Sequence, residues 1–99
     1  MNGCVFCKIV SGAIPVNFVY QDEEIVVFPD MHPQAKTHLL FVPKKHFLDL
    51  NDAPNEVILK LKDKVLELSK EMSSYRIIVN GAGAQEIKHL HFHLLGEVV

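Results

Sequence analysis

Seven residues near the C-terminus, His89-Leu90-His91-Phe92-His93-Leu94-Leu95, constrain this chain more than any other stretch. Histidine and large apolar residues alternate strictly, which is the pattern of a half-buried β-strand. On such a strand His89, His91 and His93 share one face, and Leu90, Phe92 and Leu94 share the other. Burying three imidazoles side by side costs polar desolvation three times over, so the row is read as functional. At roughly 6.6 Å per two residues, the Cα atoms of His89 and His93 stand about 13 Å apart. That span is too long for one small ion, so the three rings are expected to divide their roles.

The rest of the chain must supply a core for that strand. Its 99 residues suffice for one small domain, residues 1–99, and 48% hydrophobic against 22% charged content excludes disorder. A formal net charge of −2, with no run of Lys or Arg, argues against a nucleic-acid grip. No apolar run is long enough to cross a membrane, and Met1-Asn2-Gly3-Cys4 lacks a signal-peptide layout, so a cytoplasmic protein is expected. In a reducing compartment, Cys4 and Cys7 at this spacing suggest metal or redox chemistry rather than a structural disulfide. A closed zinc site would need two more ligands, and six histidines are available.

In chain order, Val5 to Val10 reads as a short helix stopped by Ser11-Gly12. Val16 to Gln21 and Glu24 to Phe28 form a hairpin around Asp22-Glu23. Prolines mark Pro29 to Lys36 as a loop, and His38 to Val42 is a third strand closed by Pro43. Asn51-Asp52-Ala53-Pro54 starts the one long helix, which runs to about Met72 with Val57, Ile58, Leu61, Val65, Leu68 and Met72 as its core stripe. Tyr75 to Val79 is the fourth strand, Asn80 to Lys88 a loop, and His89 to Leu95 the fifth. The expected fold class is α+β with an antiparallel sheet.

Histidine, apolar, histidine, apolar, histidine and two apolar residues, as His89 to Leu95 stand, resemble the motif of the histidine triad (HIT) family. Pro33-Gln34-Ala35-Lys36-Thr37-His38-Leu39-Leu40 resembles a second family segment. The resemblance covers nearly the whole chain. It implies a five-stranded antiparallel sheet with one long and one or two short helices, paired as a homodimer with a continuous sheet. It also implies a nucleotide hydrolase or transferase. His91 would be the nucleophile that forms a nucleotidyl-histidine intermediate, and His93 and His38 would stabilise charge on the α-phosphate. Asp30 would hold the ribose of an AMP- or GMP-like purine nucleotide. Phe28, Met31, Phe6, Ile9, Ile14 and Leu40 would wall the base slot, and Asn80 and Gln85 would complete the nucleotide site.

Branches of the family with an N-terminal Cys-x-x-Cys bind structural zinc, and the matching ligands here are Cys4, Cys7, His46 (in Pro43-Lys44-Lys45-His46) and His89. Two features depart from the family's pattern. The Asn80–His89 loop is short, and Glu86 stands where many members carry a small hydroxyl residue. The sequence as read to Val99 is also expected to lack the C-terminal extension that in some members crosses to the partner's site. The expected substrates are purine nucleoside phosphoramidates or related mononucleotide conjugates. Dinucleoside polyphosphates are one alternative, and a non-catalytic nucleotide- or zinc-binding adaptor is another.

Overall fold

The computed structural model describes residues 3–97. Five antiparallel strands form one sheet in the order β1-β2-β3-β5-β4. They are β1 (Tyr20–Gln21), β2 (Ile25–Pro29), β3 (Thr37–Pro43), β4 (Tyr75–Val79) and β5 (Phe92–Gly96), with helices α1 (Val5–Ser11) and α2 (Asn55–Ser69). The α+β class and the antiparallel sheet are as expected, with one short helix beside the long one.

Side-chain alternation sorts the sheet into two faces. On one, Ile25, Val27, Phe41, Phe92 and Leu94 pack against Leu61 and Val65 of α2. Each of those two helix residues is completely buried, and burying one such side chain contributes about 1.5–3 kcal/mol. On the other face Val26, Phe28, Leu40 and Val42 pack against Phe6 and Ile9 of α1. The register places His93 between Leu40 and Ile78, and Leu95 between His38 and Arg76. Seven-residue α1 covers only the β2–β3 part of this face. The β5–β4 part, with His93, Leu95 and Ile78, stays open and floors a cavity.

Three boundaries differ from expectation. β1 keeps only Tyr20–Gln21 in the ladder, because Val16 and Phe18 turn away to pack beside α1. Helix α2 stops at Ser69, whose hydroxyl bonds the Leu66 carbonyl, while its own carbonyl accepts the Met72 N–H. The third concerns the histidine strand, which joins the ladder only at Phe92. Leu90 N–H bonds Phe47 O instead, and Pro43 at the end of β3 offers no N–H while its carbonyl bonds the His89 ring. Alternation nevertheless persists through the irregular part, with Leu90 in the α2-side core and both His89 and His91 against Phe6.

Candidate active site and metal centre

A cavity of about 410 Å³ lies between α1, the open half of the sheet and the 80–88 loop. Phe6, Ile9, Phe28, Met31 and Leu40 line it, together with Asp30, His38, Asn80, Glu86, His91 and His93. Two expected members lie elsewhere. Ile14 packs at the edge of the α1-side cluster rather than lining the cavity. Gln85 is buried, and its amide braces the loop: Nε2 donates to Leu48 O at 3.0 Å and Oε1 accepts Gly83 N–H at 3.1 Å.

The hydrogen bonds assign a tautomer to each ring. His91 Nδ1 lies 2.8 Å from the His89 carbonyl, which can only accept, so Nδ1 carries the proton and Nε2 keeps its lone pair. Burial lowers the His91 pKa below its ordinary value, which favours the neutral, nucleophilic ring at pH 7. His38 Nδ1 accepts the Gln34 N–H at 3.1 Å, which leaves the neutral ring's proton on Nε2. That nitrogen lies 2.9 Å from His93 Nδ1 and 3.3 Å from an Asp30 carboxylate oxygen, both of which can accept its proton. His93 therefore accepts at Nδ1 and carries its own proton on Nε2, as a donor suited to a phosphoryl oxygen. Donor atoms of Asp30, His38 and His93 converge as closely as metal ligands would, yet the proton on His38 Nε2 makes this group a hydrogen-bond relay.

His93 supplies a test of its burial. Burial, reinforced by the charges of His91 and His38, holds its pKa down to about 4. The unfolded ring takes a proton near pH 6.5, so between these values the unfolded chain binds more protons and stability rises with pH. The contribution is complete above pH 6.5 and is lost as pH falls toward 4. Urea midpoints measured across that window should decline with acid, and His93→Asn should flatten part of the slope. A slope identical in the variant would contradict the assignment.

Asp49 is a residue the sequence did not single out. It is buried, and its carboxylate accepts the N–H groups of Ala82 (2.9 Å) and Asn51 (2.9 Å). Those bonds hold its pKa below the usual carboxylate range. Gly81 passes so close that an added Cβ would sit 3.4 Å from Asp49 Cβ. Asp49 and Gln85 thus pin the 80–88 loop to the 47–52 segment before it reaches His89.

The second cluster sits at the N-terminus of α1. Cys4 caps the helix, its sulfur accepting the Cys7 N–H, and Gly12 ends it with φ +87°, a conformation glycine adopts without strain. Cys4 Sγ lies 3.3 Å from His89 Nδ1, and Cys7 Sγ lies 3.3 Å from His46 Nδ1 and 3.6 Å from His89 Nδ1. Zinc–sulfur and zinc–nitrogen bonds of ordinary length give sulfur–nitrogen edges of about 3.6 Å in a tetrahedron. The donor set therefore fits zinc. His89 Nε2 donates to Pro43 O at 2.8 Å, which leaves Nδ1 free to face the sulfurs. Burial lowers the His89 pKa to about 4, so the ring is neutral and ready to ligate. Burial and the adjacent Cys4 sulfur raise the Cys7 thiol pKa, so a cation held between the sulfurs would offset the cost of losing that proton.

Comparison with known proteins agrees with this geometry. A family model described as "Scavenger mRNA decapping enzyme C-term binding" matches residues 3–98. Protein HitA of Neisseria gonorrhoeae is 39% identical over 107 aligned residues that cover all of both chains. An uncharacterized HIT-like protein of Methanocaldococcus jannaschii is 38% identical over 97% of this chain and 84% of its own. The crystal structure of a HIT family hydrolase from Legionella pneumophila superposes with a TM-score of 0.89 at 38% identity, over 98% of this chain and 95% of that one. The chain belongs to the histidine triad family. Among the described residues, no helix is long and apolar enough to cross a membrane.

Proposed function

We propose that this protein, acting as a single domain over residues 1–99, is a hydrolase. It binds a purine nucleotide and cleaves at the α-phosphate of nucleoside phosphoramidates or related mononucleotide conjugates. The observation that carries this reading is the His91 ring, held by the His89 carbonyl so that a bare Nε2 lone pair remains in a nucleotide-sized cavity. Phe6, Ile9, Phe28 and Met31 offer apolar walls for a base, and Asp30 offers a carboxylate for ribose hydroxyls.

In this reaction His91 Nε2 attacks phosphorus as the bond from phosphorus to the leaving nitrogen breaks. The departing nitrogen keeps the electron pair of that bond, takes a proton from solvent and leaves as the amine. His93 Nε2–H donates to a phosphoryl oxygen as charge develops, and His38 and Asp30 keep that proton in place. Water then attacks phosphorus, and the phosphorus–Nε2 bond breaks with its electron pair returning to the ring. Nucleoside monophosphate departs and water's extra proton passes to solvent. Zinc, bound by Cys4, Cys7, His46 and His89, would be structural: four protein ligands leave no open position. The deciding experiment mixes the protein with adenosine 5′-phosphoramidate and follows AMP together with the protein's mass. AMP and a transient adenylate adduct support the reading. Their absence would shift weight to dinucleoside polyphosphates, then to an adaptor that binds without turnover.

A homodimer belongs to the same proposal. β4 is an edge strand whose Tyr75, Ile77 and Ile78 are all exposed, and a bare apolar edge invites pairing with a second copy. Sedimentation at micromolar concentration should give a dimer, and Ile77→Lys should shift it to monomer. A monomeric unsubstituted protein would end the idea.

A further inference from the structure

The loop ahead of His89 sends two consecutive side chains in opposite directions. Gln85 goes inward to Leu48 O, while Glu86 is exposed and lines the cavity. Glu86 makes no hydrogen bond or ion pair with any other described residue. Asp30, the other acidic lining residue, is already engaged by His32 N–H (2.8 Å) and His38. Among the described residues, no lysine or arginine lines the cavity. Lys88, two residues from Glu86, gives its ammonium to the carbonyls of Gly83 (2.9 Å) and Gln85 (2.7 Å). Arg76 shares the sheet face with Ile78 but is not among the lining residues.

Strand register sets where this free carboxylate acts. Asp30 and its loop stand at the His38–Leu95 end of β3 and β5, whereas the 80–88 loop arrives at the opposite end, beyond His91. With the ribose held at Asp30 and phosphorus at the histidines, the remaining substituent on phosphorus extends toward Glu86. The bonds from Asp49 and Gln85 hold the loop there, so the carboxylate is presented without a large ordering cost.

We propose that Glu86 is a specificity-determining residue that selects substrates whose leaving group is cationic. The substrate class is nucleoside 5′-phosphoramidates of amines that carry a second, protonated nitrogen. This inference rests on the α-phosphate cleavage proposed above. An ammonium group beside Glu86 gains an ion pair where the cavity offers no competing cation. A polyphosphate or carboxylate in the same place meets uncompensated repulsion.

The test uses three adenosine 5′-phosphoramidates, made from propylamine, from one nitrogen of 1,3-diaminopropane and from β-alanine. Their leaving groups are neutral, cationic and anionic. Values of kcat/KM from AMP release are compared between the unsubstituted protein and Glu86→Gln, and the ratio for each compound cancels its intrinsic reactivity. That ratio should exceed the neutral compound's by about threefold for the cation and fall below it by a similar factor for the anion, as suits a solvent-exposed pair. The spread should shrink in 1 M salt, and Arg76→Gln should keep the order. Equal ratios for all three compounds would overturn the role of Glu86 and leave α-phosphate cleavage standing. Loss of the order in Arg76→Gln would also overturn it. No AMP from any compound would overturn the cleavage reading and the selection with it.

Discussion

With His91 replaced by alanine, release of nucleoside monophosphate should fall by about four to six orders of magnitude, the usual cost of losing a nucleophile. The size follows from the division of roles among the rings. Among His38, His91 and His93, His91 alone has a proton-free nitrogen left over, because Nδ1 is committed to the His89 carbonyl at 2.8 Å. His93 and His38 spend theirs on each other and on Gln34 N–H, so neither can replace it without exchanging tautomers. Losing His93 removes a donor and leaves the attack intact, so His93→Ala should cost only about 10²–10³-fold. The pair of variants therefore separates nucleophile from stabiliser, and the mass of a trapped adduct provides a second readout. A His91→Ala protein that folds normally, judged by circular dichroism, and works within tenfold of the original would refute the assignment.

The second large effect concerns the metal centre. Purified protein should contain one zinc per chain by elemental analysis, and Cys4→Ser should lose it together with about 10–20 °C of Tm. In a domain of this size that shift corresponds to roughly 2–3 kcal/mol. Cys4 is both a donor in the cluster and the N-cap of α1, and a seven-residue helix is too short to persist in water by itself. Ser, a competent N-cap, keeps the capping bond, so the loss reports on the metal. Zinc-free protein whose Cys4→Ser variant melts unchanged would remove the metal from this account.

Much of the framework was legible because it rests on local periodicity. Alternation located β2, β3 and β4 to within a residue or two, and the stripe through Leu61 and Val65 located α2. The family motif directed attention to His38, His91, Asp30 and the Cys2His2 group, and the structure draws these into two compact clusters. Local patterns could not show where the histidine strand leaves the ladder. That boundary is decided by Phe47 and Pro43, more than 40 residues away in sequence. Asp49 was invisible for the same reason. In Leu48-Asp49-Leu50-Asn51-Asp52 it reads as one more turn aspartate, and nothing local reveals a carboxylate reaching Ala82, 33 residues on. Gln85 matched by position in the motif, but the direction of its side chain depends on a carbonyl at Leu48 that sequence does not bring near.

Helix α1 has one further implication. Its inner side supplies Phe6 and Ile9 to the cavity wall, and its N-cap and first turn supply both sulfurs of the Cys2His2 cluster. Whatever clamps the sulfurs to His46 and His89 also sets how long that wall stays in place. An ion bound by those four donors and a nucleotide bound in the cavity, as proposed above, would then be linked through a single short segment. Linkage is reciprocal, so a nucleotide that favours the seated helix would tighten the hold on the ion by the same factor that the ion tightens the hold on the nucleotide.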